Sequence, residues 1–226
     1  MCSHEIFILH LARCLTYCDT TFSYIILAMI TQVILLVLNI CFSVKEENSK
    51  AANGMIILVG LPGSGKSHFA QALVDYDPSN RFVRINQDQL KTRKKCEKRC
   101  KQALSNGKIP IIDRCNFDDQ QRGYFVGIAM EYESRTHIRI PIHCVEFHCN
   151  VQDCIHRCKK RNSHETITQE NAAGVVYRMA SQIIFPSSQL SSQQSVRESP
   201  YERIIQIHNF EEAAHQVTTF LEMFRT

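Results

Sequence analysis

The run Gly60-Leu61-Pro62-Gly63-Ser64-Gly65-Lys66-Ser67 restricts this chain more than any other stretch. Five apolar residues, Met55 to Val59, precede it, and a run of helical composition, His68 to Leu73, follows. Strand, glycine loop, then helix is the setting that a phosphate-binding loop requires. The glycines let backbone N–H groups turn inward on a polyphosphate without a Cβ in the way. A helix starting near Lys66 adds the positive end of its dipole. In this reading Gly60, Leu61, Pro62, Gly63, Ser64 and Gly65 cradle the nucleotide. Lys66 reaches its β- and γ-phosphates, and Ser67 holds Mg²⁺.

After that loop the chain alternates between the two kinds of element. Arg81 to Asn86 alternates as a strand does, with Asp88 just past its carboxyl end. Lys91 to Lys108 has helical composition and closes at Asn106-Gly107. Ile109 to Asp113 is a second apolar strand ending in an acid, and Asp118 or Asp119 can cap the helical run that follows. Ile140 to His148 reads as a strand, Asn150 caps a helix to Arg161, and Thr168 to Ile184 reads as a helix stopped by Phe185-Pro186. The tract Ser187 to Ser195 is low in complexity and reads as a mobile loop. A last strand, Arg203 to His208, precedes a helix opened by a capping box, Asn209 to Glu212. Such alternation predicts an α/β fold, a P-loop kinase-like parallel sheet with helices on both faces over residues 55–226. Ligands on such a sheet bind at the strands' carboxyl ends, where the phosphate loop, Asp88 and Asp113 converge.

The first residues differ from the rest. Tyr24 to Val44 carries no charge and is about as long as a membrane-spanning helix, roughly 20 residues. It lies too far from the start, without a small-residue cleavage site, for an ordinary cleaved signal peptide. Residues 1–45 therefore read as an extension with a membrane anchor, as a non-functional extension, or as a buried helix. Residues 46–54 form a polar linker. Met55 opens the first strand, so the catalytic domain would be complete from there. An anchored chain would keep that domain on the cytosolic or nuclear side; without the segment the protein would be nuclear or cytoplasmic.

Charge and cysteine narrow the partners. Between Lys91 and Lys101, seven cations (Lys91, Arg93, Lys94, Lys95, Lys98, Arg99, Lys101) are opposed by Glu97 alone. This is either a solvated helix face or a footprint for a polyanion beside the site. The chain has 11 cysteines but no CxxC pair. Spacings of four place Cys96/Cys100 and Cys154/Cys158 on single helix faces, which suits reduced, partly buried thiols better than zinc.

A phosphate loop does not reveal the fate of the γ-phosphate. The short domain, the lack of a guanine-reading NKxD sequence, and the basic segment Arg157 to Arg161 placed as a lid favour a small phosphotransferase. Phosphoryl transfer needs positioning and charge neutralisation, which a lid arginine supplies. Asp88 is the candidate base for the acceptor hydroxyl. Asp113 is an alternative base, though its place after an apolar strand suits the Mg²⁺ shell better.

GLPGSGKS, INQDQL, IIDRCNF-DDQQR and CIHRCKKRNSHET together resemble the kinase domain of polynucleotide 5′-hydroxyl kinases over about residues 55–208. The pattern is that of polynucleotide kinase/phosphatases and plant aprataxin-like proteins. The resemblance implies ATP and Mg²⁺ as cofactors and a nucleic-acid 5′-hydroxyl end as acceptor. It implies Asp88 as general base and Asp113 as the metal-side carboxylate. It also places Arg161 on the donor phosphates, with Arg157 one turn earlier. At the position of an arginine that grips the acceptor's phosphate stands Lys91, which keeps the charge but loses the bidentate fork. Arg114, Asn116 and Arg122 match acceptor-side positions. Glu198-Ser199-Pro200-Tyr201-Glu202-Arg203-Ile204 is similar to the family's EGFxxI segment, with Ser-Pro-Tyr for Gly-Phe. Neither a DxDGT phosphatase motif nor an HxHxH triad is present. The competing expectations are a small-metabolite kinase on the same fold and a catalytically weak, membrane-anchored ATP-binding module.

Overall fold

All six residues of the first strand, β1 (Met55–Gly60), are buried, because helices cover both sides of the sheet it centres. The computed structural model describes residues 54–160, 167–189 and 199–225, together with Ile30 and Gln32. Backbone contacts divide the chain into two units, Met1–Ser49 and Lys50–Thr226, and the second contains the sheet. The expected membrane span, 24–44, lies outside the described residues apart from Ile30 and Gln32. Among the described residues no helix is long and apolar enough to cross a membrane.

Among the described residues five strands form one parallel sheet: β1, β2 (Phe82–Asn86), β3 (Ile109–Asp113), β4 (Ile142–Phe147) and β5 (Arg203–Ile207). Their order across the sheet is β2-β3-β1-β4-β5. The chain therefore leaves β1 at the point where the order reverses, the crevice position for a ligand in such sheets. The expected parallel α/β fold is borne out.

The two-residue period of the strands sorts their side chains into two cores. Met55, Ile57, Val59, Ile85 and Ile112 face α3 (Arg93–Ser105) and α4 (Asp119–Thr136), meeting Cys96, Cys100, Leu104, Phe125 and Ile128. Ile56, Leu58, Ile111, Val145 and Phe147 face α1 (Lys66–Asp75) and α8 (Phe210–Met223), meeting Phe69, Leu73, Val217 and Phe220. A third cluster joins Leu61 of the phosphate loop to Cys154, Ile155 and Cys158 of α5 (Val151–Lys160) and to Ala172 and Val176 of α6 (Ala172–Ala180).

Caps account for several boundaries. Asp118 Oδ1 accepts Gln121 N–H at 2.7 Å to open α4, and Asn150 Oδ1 accepts Gln152 N–H at 2.8 Å to open α5. Asn209 and Glu212 form the expected capping box of α8, with Glu212 N–H on Asn209 Oδ1 at 2.8 Å and His208 N–H on Glu212 Oε2 at 2.7 Å. The helix expected over Lys91 to Lys108 is α3, which spans Arg93–Ser105, and a separate turn precedes it. A four-residue turn, α2 (Gln87–Leu90), ends at Lys91 with φ 67°, and Thr92 then caps α3. The helix expected over 168–184 is shorter, and a separate turn, α7 (Pro186–Gln189), follows it.

Candidate active site

A cleft of about 470 Å³ opens at the carboxyl ends of β1, β2 and β3. The phosphate loop forms its floor. Gly63 and Gly65 have φ of 84° and 107°, which side chains rarely adopt. At Gly63 a Cβ would also come within 2.4 Å of the Cys154 carbonyl, so the loop can lie against α5 only with glycine there. Lys66 is 6 % exposed, and its ammonium donates to the carbonyls of Gly60 at 2.9 Å and Leu61 at 2.6 Å. Its charge is thus held over the loop rather than at the surface.

Ser67, in the first turn of α1, donates from Oγ to Asp113 Oδ1 at 3.2 Å. Asp113 is 4 % exposed, and its other oxygen accepts from Arg84 Nε at 2.8 Å and Asn86 Nδ2 at 2.8 Å. Such partners offset the cost of burying a carboxylate. A hydroxyl and a carboxylate held this close are hard oxygen donors of the kind Mg²⁺ takes, with waters and phosphates supplying the rest. Among the described residues no group of three or more His, Cys, Asp or Glu is placed to hold a metal by itself.

Asp88 sits in the first turn of α2 and lines the cleft. The turn is capped by Asn86, whose Oδ1 accepts Gln89 N–H at 3.1 Å. Arg114 lines the cleft beside it and donates to Gln121 Oε1 at 2.8 Å. Burial lowers the Arg114 pKa, and its Nη1 is buried with no hydrogen-bond partner among the described residues. A buried donor left open beside a cleft suits an incoming oxygen acceptor.

Asn116 and Arg122 both make buried contacts to backbone carbonyls, and of the two only Asn116 lines the cleft. Asn116 is 2 % exposed and donates from Nδ2 to the Leu58 carbonyl at 2.7 Å, tying the loop after β3 to β1, although it also lines the cleft. Arg122 is 1 % exposed and is not among the cleft-lining residues. It donates to the carbonyls of Asn116 and Ile184, each at 2.9 Å, and pairs with Asp119. Tyr201, from the segment that departs from the family pattern, packs against the α3–α4 core. A guanidinium so enclosed holds segments together. Arg157 likewise lies outside the cleft lining, 3.5 Å from Cys149 Sγ, as does exposed Lys91. Arg161 and Glu198 lie outside the described residues.

Three contributors were not anticipated. Arg84 stands between Val83 and Ile85 in the middle of β2, a signal that an acid faces it. Asn86 was visible only as a strand terminus. Arg178 lines the cleft from α6, where the sequence suggested nothing but another helix. Seven cysteines among the described residues are free thiols, and Cys96, Cys100, Cys144, Cys154 and Cys158 are buried. Burial pushes the Cys154 thiol up to about 12, so it stays protonated and packs as an apolar group.

A parallel sheet with a phosphate loop at its point of reversal, and a carboxylate on the neighbouring strand facing the loop's serine, defines a P-loop kinase-type domain. The family described as AAA domain matches residues 55–186, more than half of the chain, and the chain belongs to that family. A bifunctional polynucleotide phosphatase/kinase of Schizosaccharomyces pombe is 35 % identical over 115 residues, covering 47 % of this chain and 26 % of that protein. A protein of Arabidopsis thaliana, named Transcription factor bHLH140, is 34 % identical over 139 residues, covering 59 % of this chain and 14 % of its own length. The chain thus spans about a quarter or less of these two relatives. The crystal structure of a fungal RNA kinase superposes with a TM-score of 0.54 at 12 % identity, over 78 % of this chain and 91 % of that one, a likeness of fold. The resemblance to polynucleotide kinases is borne out.

Proposed function

We propose that this chain is an ATP-dependent kinase that transfers the γ-phosphate to the 5′-hydroxyl of a polynucleotide. The observation that carries the proposal is that Asp88 opens into the same cleft as Lys66 and the Ser67–Asp113 pair. A base for the acceptor and a cradle for the donor then share one space. The acceptor's 5′ oxygen attacks the γ-phosphorus and forms the new O–P bond. The bond from that phosphorus to the β,γ-bridging oxygen breaks, ADP leaves with the electron pair, and Asp88 takes the hydroxyl proton. Lys66 swings its charge from the loop carbonyls to the β- and γ-phosphates, and Arg114 receives an acceptor oxygen. Ser67 and Asp113 would hold Mg²⁺, which when bound neutralises phosphate charge. Donor contacts by Arg157 and Arg161, and an acceptor contact by Lys91, rest on the family resemblance.

The polynucleotide acceptor is supported by the relatives and by α3. That helix starts three residues after α2 and exposes Lys94, Lys95, Lys98, Arg99 and Lys101. Among the described residues Glu97 pairs with Arg93 at 3.0 Å and Glu131 with Lys101 at 2.6 Å. A small metabolite has no use for so extended a cationic face, whereas a strand of phosphates does. The amino-terminal segment as a membrane anchor is a separate proposal, tested by fractionating the full chain.

The test uses the full chain, labelled ATP, and DNA and RNA oligonucleotides with 5′-hydroxyl ends. Transfer should fall steeply as salt rises. Asp88→Asn should lower transfer by about 10²–10⁴-fold while sparing ATP binding. Wild-type protein that binds ATP but labels no oligonucleotide overturns the proposal.

A further inference from the structure

We propose that Arg178 is the cation that receives the leading phosphodiester of the acceptor strand, the one on the 3′ oxygen of the nucleotide being phosphorylated. The inference rests on the kinase reading above and adds to it the residue that recognises the acceptor as a polynucleotide.

The helix that carries Arg178 crosses the cleft from its donor side to its acceptor side. At its start, Ala172 and Val176 pack with Leu61 of the phosphate loop and with Cys154 and Cys158 of α5. Beyond its end, Ile184 N–H donates to the Phe117 carbonyl at 2.7 Å, and Arg122 holds the Ile184 carbonyl at 2.9 Å. Three residues on, Ser187 donates to the fully buried Glu146 from its backbone at 2.7 Å and from its hydroxyl at 2.6 Å. The segment that follows α6 is therefore pinned to the loop after β3, which carries Arg114.

Val175, Arg178 and Met179 share one face by their spacing of three and four, and all three line the cleft. Arg178 lies in the last turn of α6, ahead of the pinned segment. Two other cations line the cleft, Lys66 assigned above to the donor phosphates and Arg114 to an acceptor oxygen. Lys66 is held on the phosphate loop, and Arg114 donates to Gln121. Arg178 is exposed and has no ion pair among the described residues. Flanked by two apolar side chains on a fixed helix, its guanidinium offers a planar fork that matches phosphate oxygens. Lys91, which stands where the family resemblance implies an arginine, does not line the cleft. Arg178 supplies the fork from α6.

The test measures binding by the full chain, so it does not depend on turnover. The probes are a fluorescent 5′-hydroxyl oligonucleotide and the same oligonucleotide with an uncharged methylphosphonate at its leading linkage. Arg178→Ala should weaken binding of the charged probe by about tenfold or more, the worth of a hydrogen bond to a charged group. Arg178→Lys should recover part of that loss. The methylphosphonate probe should bind wild type and Arg178→Ala equally, and ATP affinity should not change. The proposal is overturned if Arg178→Ala binds the charged probe as wild type does, loses as much on the neutral probe, or loses ATP instead. Failure of wild type to bind either probe overturns it together with the kinase reading. Transfer by wild type with an indifferent Arg178→Ala overturns this inference alone.

Discussion

Asn86 and Asp113 are cross-strand partners at the ends of β2 and β3, and Asn86 Nδ2 donates to Asp113 Oδ2 at 2.8 Å. The other end of the same amide caps the turn that carries Asp88. One side chain thus couples the proposed base to the carboxylate beside Ser67. Asn86→Ala should cost about 1 kcal/mol of stability as a lost cap. It should also slow phosphoryl transfer by about tenfold, because about 1.4 kcal/mol of positioning is lost at both carboxylates. Urea midpoints and single-turnover rates check the pair. A rate loss no larger than the fall in folded protein would argue against the coupling.

Gly63 combines a φ of 84° with a carbonyl 2.4 Å from where its Cβ would stand. Gly63→Ala should therefore displace the phosphate loop from α5 and weaken ATP binding by about tenfold or more, equivalent to about 1.4 kcal/mol. Calorimetric titration with ATP reads the effect directly. Unchanged affinity would mean that α5 yields instead of the loop.

Arg122 separates two roles that the sequence leaves open. As a buried clamp on the Asn116 and Ile184 carbonyls, it should cost about 3 kcal/mol of stability when replaced by alanine. At temperatures where the variant is folded, its affinity for the oligonucleotide should match that of wild type. Loss of oligonucleotide affinity in a stably folded Arg122→Ala protein would restore the ligand-contact role.

His143 lies at 3 % exposure on β4, with the rings of Phe220 and Phe224 at 5.6 and 5.7 Å. Burial, helped by Arg203 and opposed by Glu202, brings its pKa down from 6.5 to about 4. Above the ordinary value both folded and unfolded chains hold it neutral. As pH falls below 6.5 the unfolded chain takes up the proton first, so stability declines until about pH 4. The loss should be about 2 kcal/mol between pH 7 and pH 5. Asp77 adds nothing in that window. Although burial raises its pKa, hydrogen bonds from Arg81 and Ser79 hold it below 3.8, so its contribution disappears only under stronger acid. Denaturant titrations of wild type and His143→Leu isolate the effect. An equal pH slope in both would remove His143 as its source.

Local patterns sufficed for much of this protein. The phosphate loop, the alternation of strand and helix, the caps at Asn150 and Asn209, and the acids at the ends of β2 and β3 are all written within a few residues. Their backbone preferences and two-residue burial pattern act over that same short range. The split between α2 and α3 was harder to read. Lys91 to Lys108 has helical composition, while the separate turn before it and the start of α3 at Arg93 depend on a positive φ at Lys91 and a cap at Thr92.

What the sequence by itself determined about the phosphate-loop site is the donor half and the two carboxylates that face it. Only the tertiary structure decided that Arg122 is a clamp and Asn116 a bridge. It also decided that Arg84 joins β2 to Asp113, and that Arg178 reaches the cleft. Each of these depends on a partner dozens of positions away, as Arg122 does on Ile184. Chain spacing carries no record of which distant carbonyl or cleft a long cationic side chain will meet. That choice is made when two helices pack on one sheet, and burial then leaves a guanidinium either the partners inside or the open mouth of the site.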